Sequence, residues 1–155
     1  MSEPEIYPMP AFPTLSVSNL AVSKQFYVDG LGFQVIFSMP PDGGPAVLEH
    51  LRWTRYADLL LEQRPESEGE EDRVGRGARV RLNFSAALAG RTCADIAERA
   101  RAHGGGTVRG PIERPYNARE VMVTDPDGFV LVFSEPIDMT KTFDEVLGDI
   151  KDAGR

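Results

Sequence analysis

Apolar and polar positions along this chain follow two periods, in an order that occurs twice. Phe12 to Val17 alternates as a half-buried strand does, and Ser18 or Asn19 can cap a helix from Leu20 to Asp29 that Gly30 ends. Phe26, Tyr27 and Leu31 are the core-facing residues of that helix. Phe33 to Ser38 reads as a second strand and Pro40-Pro-Asp-Gly-Gly44 as a loop. Ala46 to Trp53 and Ala57 to Gln63 form a hairpin about Thr54-Arg-Tyr56. After a polar segment the order restarts, with a strand at Ala78 to Phe84. A helix at Arg91 to His103 follows, with Cys93, Ile96, Ala97 and Ala100 on one face. Gly104-Gly-Gly106 breaks this helix, and Thr107 to Arg109 starts another strand. Arg119 to Thr124 and Phe129 to Ser134 finish as a hairpin about Asp125-Pro-Asp-Gly128. Pro126 presets φ for that turn, the aspartates can bond local backbone, and Gly128 can take a positive φ.

Both halves therefore read β-α-β-β-β, over 12–65 and 78–136, within one domain spanning 12–136. The expected class is α+β, with two like units sharing one curved sheet. Residues 1–11, with Pro4, Pro8 and Pro10, read as an extended arm. The joining segment 66–77 carries Glu66, Glu68, Glu70, Glu71 and Asp72. It reads as a solvated acidic linker, because it lacks the alternating oxygen ligands about a Gly turn that a calcium loop needs. In the extension 137–155, Thr142-Phe-Asp-Glu145 is a capping box, and Phe143, Val146, Leu147 and Ile150 recur at helical spacing. This amphipathic helix is expected to dock on its own domain or on a partner chain.

Composition excludes more than it assigns. Hydrophobic residues at 41% and charged residues at 26% are those of an ordinary soluble domain. A net charge of −7 without a clustered basic face argues against nucleic acid. No apolar run is long enough to span a bilayer. Met-Ser-Glu-Pro-Glu has no basic region followed by an apolar run, so no secretory signal is expected and the cytoplasm is the expected compartment. The one cysteine, Cys93, reads as a buried structural residue, with a reactive thiol as the other reading.

A first βα unit with Phe26-Tyr27 on its helix, ending in Leu31-Gly-Phe33, and a last hairpin at Asp125-Pro-Asp-Gly128 resemble the vicinal oxygen chelate superfamily. That group holds glyoxalases, bleomycin-resistance proteins and extradiol dioxygenases. The resemblance runs roughly from Phe12 to Pro136 and implies eight strands forming a U-shaped mixed sheet with helices outside. It also implies four positions where metal-dependent members carry His, Glu or Gln. Here these fall on Phe12, near Leu60, near Arg79 and on Val132. Three have no donor atoms and the fourth is a fixed cation, so no metal and no other cofactor is expected. His50 and His103 do not pair at ligand spacing, and Glu62 alone does not hold a catalytic ion.

Strand alternation identifies the lining of the U. Phe12, Thr14 and Ser16 come from the first strand, Leu60 and Glu62 from the fourth, Arg79, Arg81 and Asn83 from the fifth, and Val130, Val132 and Ser134 from the last. The bland alternative is that Arg79 and Arg81 lie on a wet face or pair with Glu62. Tyr116 and Arg119-Glu120 resemble a run that precedes this hairpin in metal-free members, with Asn117-Ala118 in place of the usual Gly. Tyr116, Trp53 and Tyr56 are candidates for flat ligand contacts, or for core and rim packing. No nucleophile with a base stands out. The leading expectation is a metal-free protein, similar to bleomycin-resistance proteins, that sequesters a small organic molecule or antibiotic as a homodimer. Acidic net charge suits a cationic ligand, which Arg79 and Arg81 would oppose. The alternative is a metal-dependent lyase, isomerase or dioxygenase of the glyoxalase type.

Overall fold

The computed structural model describes residues 4–67, 78–104 and 106–154. Most of the acidic linker, 68–77, lies outside them. Two β-α-β-β-β modules are present. The first consists of β1 (Thr14–Val17), α1 (Leu20–Gln25), β2 (Gln34–Met39), β3 (Leu48–Thr54) and β4 (Ala57–Gln63). The second consists of β5 (Arg79–Asn83), the short α2 (Ala86–Ala89), α3 (Cys93–His103), β6 (Thr107–Arg114), β7 (Ala118–Thr124) and β8 (Val130–Pro136). A last helix, α4 (Phe143–Ala153), follows.

The eight strands form two four-stranded sheets of the same topology, β1-β4-β3-β2 and β5-β8-β7-β6. In each, the first strand runs parallel to the fourth and the other pairs are antiparallel. This follows from connectivity: a helical crossover separates the first strand from the following three, which are joined by turns.

Asn19 caps α1 by accepting from the Val22 amide, and the helix runs on into a π turn at Phe26–Gly30. The wider turn points Phe26 and Tyr27 into the core, where both are buried. Thr92 and Asp95 form a capping box that starts α3, and Cys93, Ile96, Ala97 and Ala100 are its buried face, as the spacing predicts.

One core joins the modules. Leu15, Val17, Leu51, Leu59 and Leu61 of the first sheet lie in the same cluster as Leu82, Val121, Val123, Leu131 and Phe133 of the second. Trp53 sits at the joint, with its ring centroid 5.1 Å from Phe84 and 5.0 Å from Phe133. Its indole N–H donates to the Leu31 carbonyl at 3.0 Å, and the Arg91 guanidinium lies over the ring.

The Asp-Pro-Asp-Gly turn clasps the first module. Asp125 Oδ1 accepts from the Asp127 and Phe129 amides, closing the turn, and Asp125 Oδ2 accepts from the Tyr27 hydroxyl at 2.8 Å. Asp127 accepts from the Ser18 amide and from Arg64, each at 3.1 Å. Gly128 has φ 92°, the conformation that turn chemistry anticipates.

The extension is held at its start. Asn117, at φ 58°, takes the left-handed conformation that asparagine tolerates better than most residues. Its side chain donates to the Asp138 carbonyl at 2.7 Å and accepts from the Asp138 amide at 2.9 Å. The α4 capping box forms between Thr142 and Glu145, but no residue of the helix is buried, and Phe143 is 76% exposed. Docking on its own domain, one of the two expectations, is thus not what buries its stripe.

Candidate functional site

Each sheet has one face in the core and one open face. On the second sheet, Val80, Leu82, Val121, Val123, Leu131 and Phe133 turn inward, so strand alternation puts Arg79, Arg81, Asn83, Glu120, Met122, Val130, Val132 and Ser134 on the open side. The register aligns them in rows. Arg81 lies beside Val132, Val132 beside Met122, and Met122 beside Arg109. Asn83, Ser134, Glu120 and Ile112 form the adjoining row.

The edge strand β6 carries a bulge. Arg109 faces Met122 and Ile112 faces Glu120, so Gly110 and Pro111 together oppose Val121. Two residues against one reset the alternation, which brings Arg109, Ile112 and Arg114 to the same face. Pro111 has no amide to donate, and an edge strand tolerates it.

These residues surround a cavity of about 160 Å³ lined by Arg79, Arg81, Arg109, Ile112, Arg114, Tyr116, Glu120, Met122 and Val132. Four guanidiniums meet one carboxylate there. Glu120, 4% exposed, accepts from Arg81 and from the Tyr116 hydroxyl, and from Arg114 Nε at 3.0 Å. Burial pushes its carboxyl up. Hydrogen bonds from Tyr116, Arg81 and Arg114 outweigh that and hold it below the usual carboxylate range. Burial and the Glu120 bond raise the Tyr116 hydroxyl, so it remains a donor.

The open face of the first sheet is different in kind. Phe12 stacks on His50 at 5.8 Å, and Phe37 meets the same ring edge-on at 5.4 Å. His50 Nε2 lies 2.8 Å from Asp58, which also takes a bidentate pair from Arg52 at 2.7 and 2.9 Å. Thr14 lies beside Leu60, and Ser16 beside Glu62. The arm packs here too, with the Tyr7 ring 4.3 Å from the Arg52 guanidinium.

The residues singled out from the sequence thus divide. Arg79, Arg81, Tyr116 and Val132 line one cavity, with Val130 in the row beside it. Phe12, Thr14, Leu60 and Glu62 belong to the other sheet. Among the described residues, no hydrogen bond, ion pair or ring contact joins the two sets. Trp53, 5% exposed, is packed in the core at the module joint, the packing alternative of its two readings. Tyr56 packs edge-on against Tyr7. The acid that meets Arg81 is Glu120 and not Glu62, which stays exposed. Arg109, Ile112, Arg114, Glu120 and Met122 are the lining residues that sequence alternation on four strands did not reach.

At the positions that the resemblance assigns to metal ligands on the second sheet, the residues present do not fit a divalent ion. Both rows where β5 meets β8, Arg79 with Val130 and Arg81 with Val132, pair a fixed cation with an aliphatic side chain. Among the described residues, no three His, Cys, Asp or Glu side chains stand close enough to hold a metal. Burial, and then the nearby Glu135 carboxylate, pushes the Cys93 thiol up to about 12. It donates to the Arg119 carbonyl at 3.1 Å, the geometry of a structural cysteine.

Solved structures share this architecture at low identity. TnmS3, an antibiotic binding protein from Streptomyces sp. CB03234, superposes with a TM-score of 0.60 at 21% identity, over 85% of this chain and 99% of that one. A glyoxalase-related enzyme from Fulvimarina pelagi gives 0.59 at 19% identity, over 87% and 96%. TioX from Micromonospora sp. ML1 gives 0.57 at 16% identity, over 81% and 97%. No curated protein matches the chain. The family model for glyoxalases, bleomycin-resistance proteins and dioxygenases matches residues 11–133 of the 155. The chain belongs to the Glyoxalase/Bleomycin resistance protein/Dioxygenase superfamily.

Proposed function

We propose that the protein binds a small organic molecule without a metal, through the open sheet faces. The observation that carries this reading is the arginine-lined cavity with an apolar floor of Val132 and Met122. Its chemistry suits a ligand with an apolar or aromatic body and an acidic or hydrogen-bonding group, because guanidinium is always charged and offers paired donors to a carboxylate or phosphate. That TnmS3 is an antibiotic binding protein supports the same class of role for this chain.

The cavity, at about 160 Å³, is smaller than the roughly 300–1,000 Å³ of pockets that enclose drug-sized ligands. A homodimer accounts for the shortfall. The aromatic face at Phe12, Phe37 and His50 of one chain would cover the arginine face of its partner, so that body and polar end each meet a fitting surface. Phe37 at 46% exposure and Met39 at 43% are part of the apolar surface such pairing would bury.

Elemental analysis of protein purified without chelator, with thermal-shift screening of organic acids and antibiotics on the same sample, tests the reading. The expected result is less than a tenth of a metal per chain together with stabilising hits. About one zinc, nickel, iron or manganese per chain, resistant to dialysis, would overturn it.

A further inference from the structure

The charges around the second-sheet cavity are unevenly matched. Arg81 and Arg114 both bond Glu120, which leaves Arg79 and Arg109 with no acid partner among the described residues. Those two stand on opposite rims. Arg79 projects from β5 at one edge of the sheet and Arg109 from β6 at the other, with β8 and β7 between. Neighbouring strands lie about 4.8 Å apart, and Arg109 shares its row with Arg81, so the Arg79 and Arg109 backbones are separated by three such steps across and two residues along the strands, roughly 16 Å on a flat sheet. Long side chains on both rims line one cavity over the apolar floor of Val132 and Met122. Both guanidiniums are exposed, so water meets their charge in the free protein, and each keeps its donors available to an incoming acid.

We infer that this site takes a dianion whose two acidic groups sit at opposite ends of a flat apolar body, one met by Arg79 and the other by Arg109. The inference rests on the organic-ligand reading above and narrows its substrate class. A compact anion would engage one rim only. A rigid body bearing separated carboxylates, sulfonates or phosphates would engage both while covering Val132 and Met122. The Arg81–Glu120–Arg114 group, with the Tyr116 hydroxyl, is internally paired and lies beside the same floor.

Calorimetric titration of the full chain with terephthalate, benzoate, inorganic phosphate and a neutral aromatic diester tests this. Terephthalate is expected to bind at least tenfold more tightly than benzoate or phosphate. Arg79→Ala and Arg109→Ala should each reduce terephthalate to about the affinity of benzoate, a loss of about tenfold or more. Both arginines are exposed, so neither variant removes core packing, and circular dichroism confirms the fold of each. Equal affinity for terephthalate and benzoate, phosphate binding as tight as terephthalate, or an unaffected Arg109→Ala variant would each overturn the inference. Tight binding of the neutral diester, unchanged in both variants, would overturn it while leaving the organic-ligand reading in place. If no acid and no neutral aromatic binds, both readings fall together.

Discussion

Glu120 is the residue on which the candidate site turns. It is the one carboxylate among four guanidiniums, and it fixes two of them where they would otherwise repel. Its folded pKa lies below the ordinary carboxylate value, since its donors outweigh the upward push of burial. A lowered acid stabilises the fold fully above its unfolded pKa, and that contribution is lost as pH falls through the folded value. Glu120→Gln is therefore expected to lower unfolding free energy at neutral pH by about 1–3 kcal/mol. It should also flatten the decline of stability on the acid side of pH 5. Urea denaturation of both proteins at pH 7 and pH 4 reads this, and parallel curves would remove Glu120 from the account. Alternation on β5 and β8 makes Arg79, Arg81, Val130 and Val132 legible in the sequence. The same rule on β7, with Val121 and Val123 in the core, puts Glu120 on the open face, so its signal is present in the residues. Arg114 is not legible that way: the bulge at Gly110-Pro111 moves it to the face opposite the one a regular strand assigns.

At the scale of elements, the modules, their helices and the tail helix follow the apolar periods closely. The differences have local causes. The strand begun at Thr107 runs on to Arg114, because the bulge absorbs the Gly-Pro step that reads as a break. The helix from Leu20 widens into a π turn, which periodicity does not encode. The largest difference concerns the last hairpin. Its Asp-Pro-Asp-Gly composition signals a turn, and the structure shows it also as the clasp between modules, through Tyr27 and Arg64. Contacts across 98 and 63 positions of sequence leave no mark in local pattern. Burial raises the Asp125 carboxyl, and the Tyr27 hydroxyl works against that rise by bonding the ionised form. Tyr27→Phe removes this donor at a site with no exposure to solvent. The expected cost is about 1–3 kcal/mol, which for a chain of this size lowers the melting temperature by several degrees. An unchanged melting temperature in calorimetry would show that the clasp contributes no stability.

The whole molecule carries two open faces of unlike chemistry and an amphipathic helix whose apolar stripe stays exposed. Pairing of two chains would cover these surfaces, and light scattering is expected to report about twice 17.1 kDa at micromolar concentration. A monomer there would leave the aromatic and arginine faces as separate half-sites. The superfamily's architecture supports unrelated chemistries, so the fold does not choose between a binder and a metal enzyme, and the proposed reading rests on the side chains of the open faces. The most direct measurement is calorimetric titration of an aromatic organic acid, a hit from the thermal-shift screen, into the protein with and without EDTA. Wild type and the Arg79→Ala, Arg81→Ala double variant are compared. Metal-independent capture by the arginine face requires an affinity unchanged by EDTA and about tenfold or more weaker in the double variant. Binding that vanishes with EDTA, or that persists undiminished without these two arginines, would contradict it.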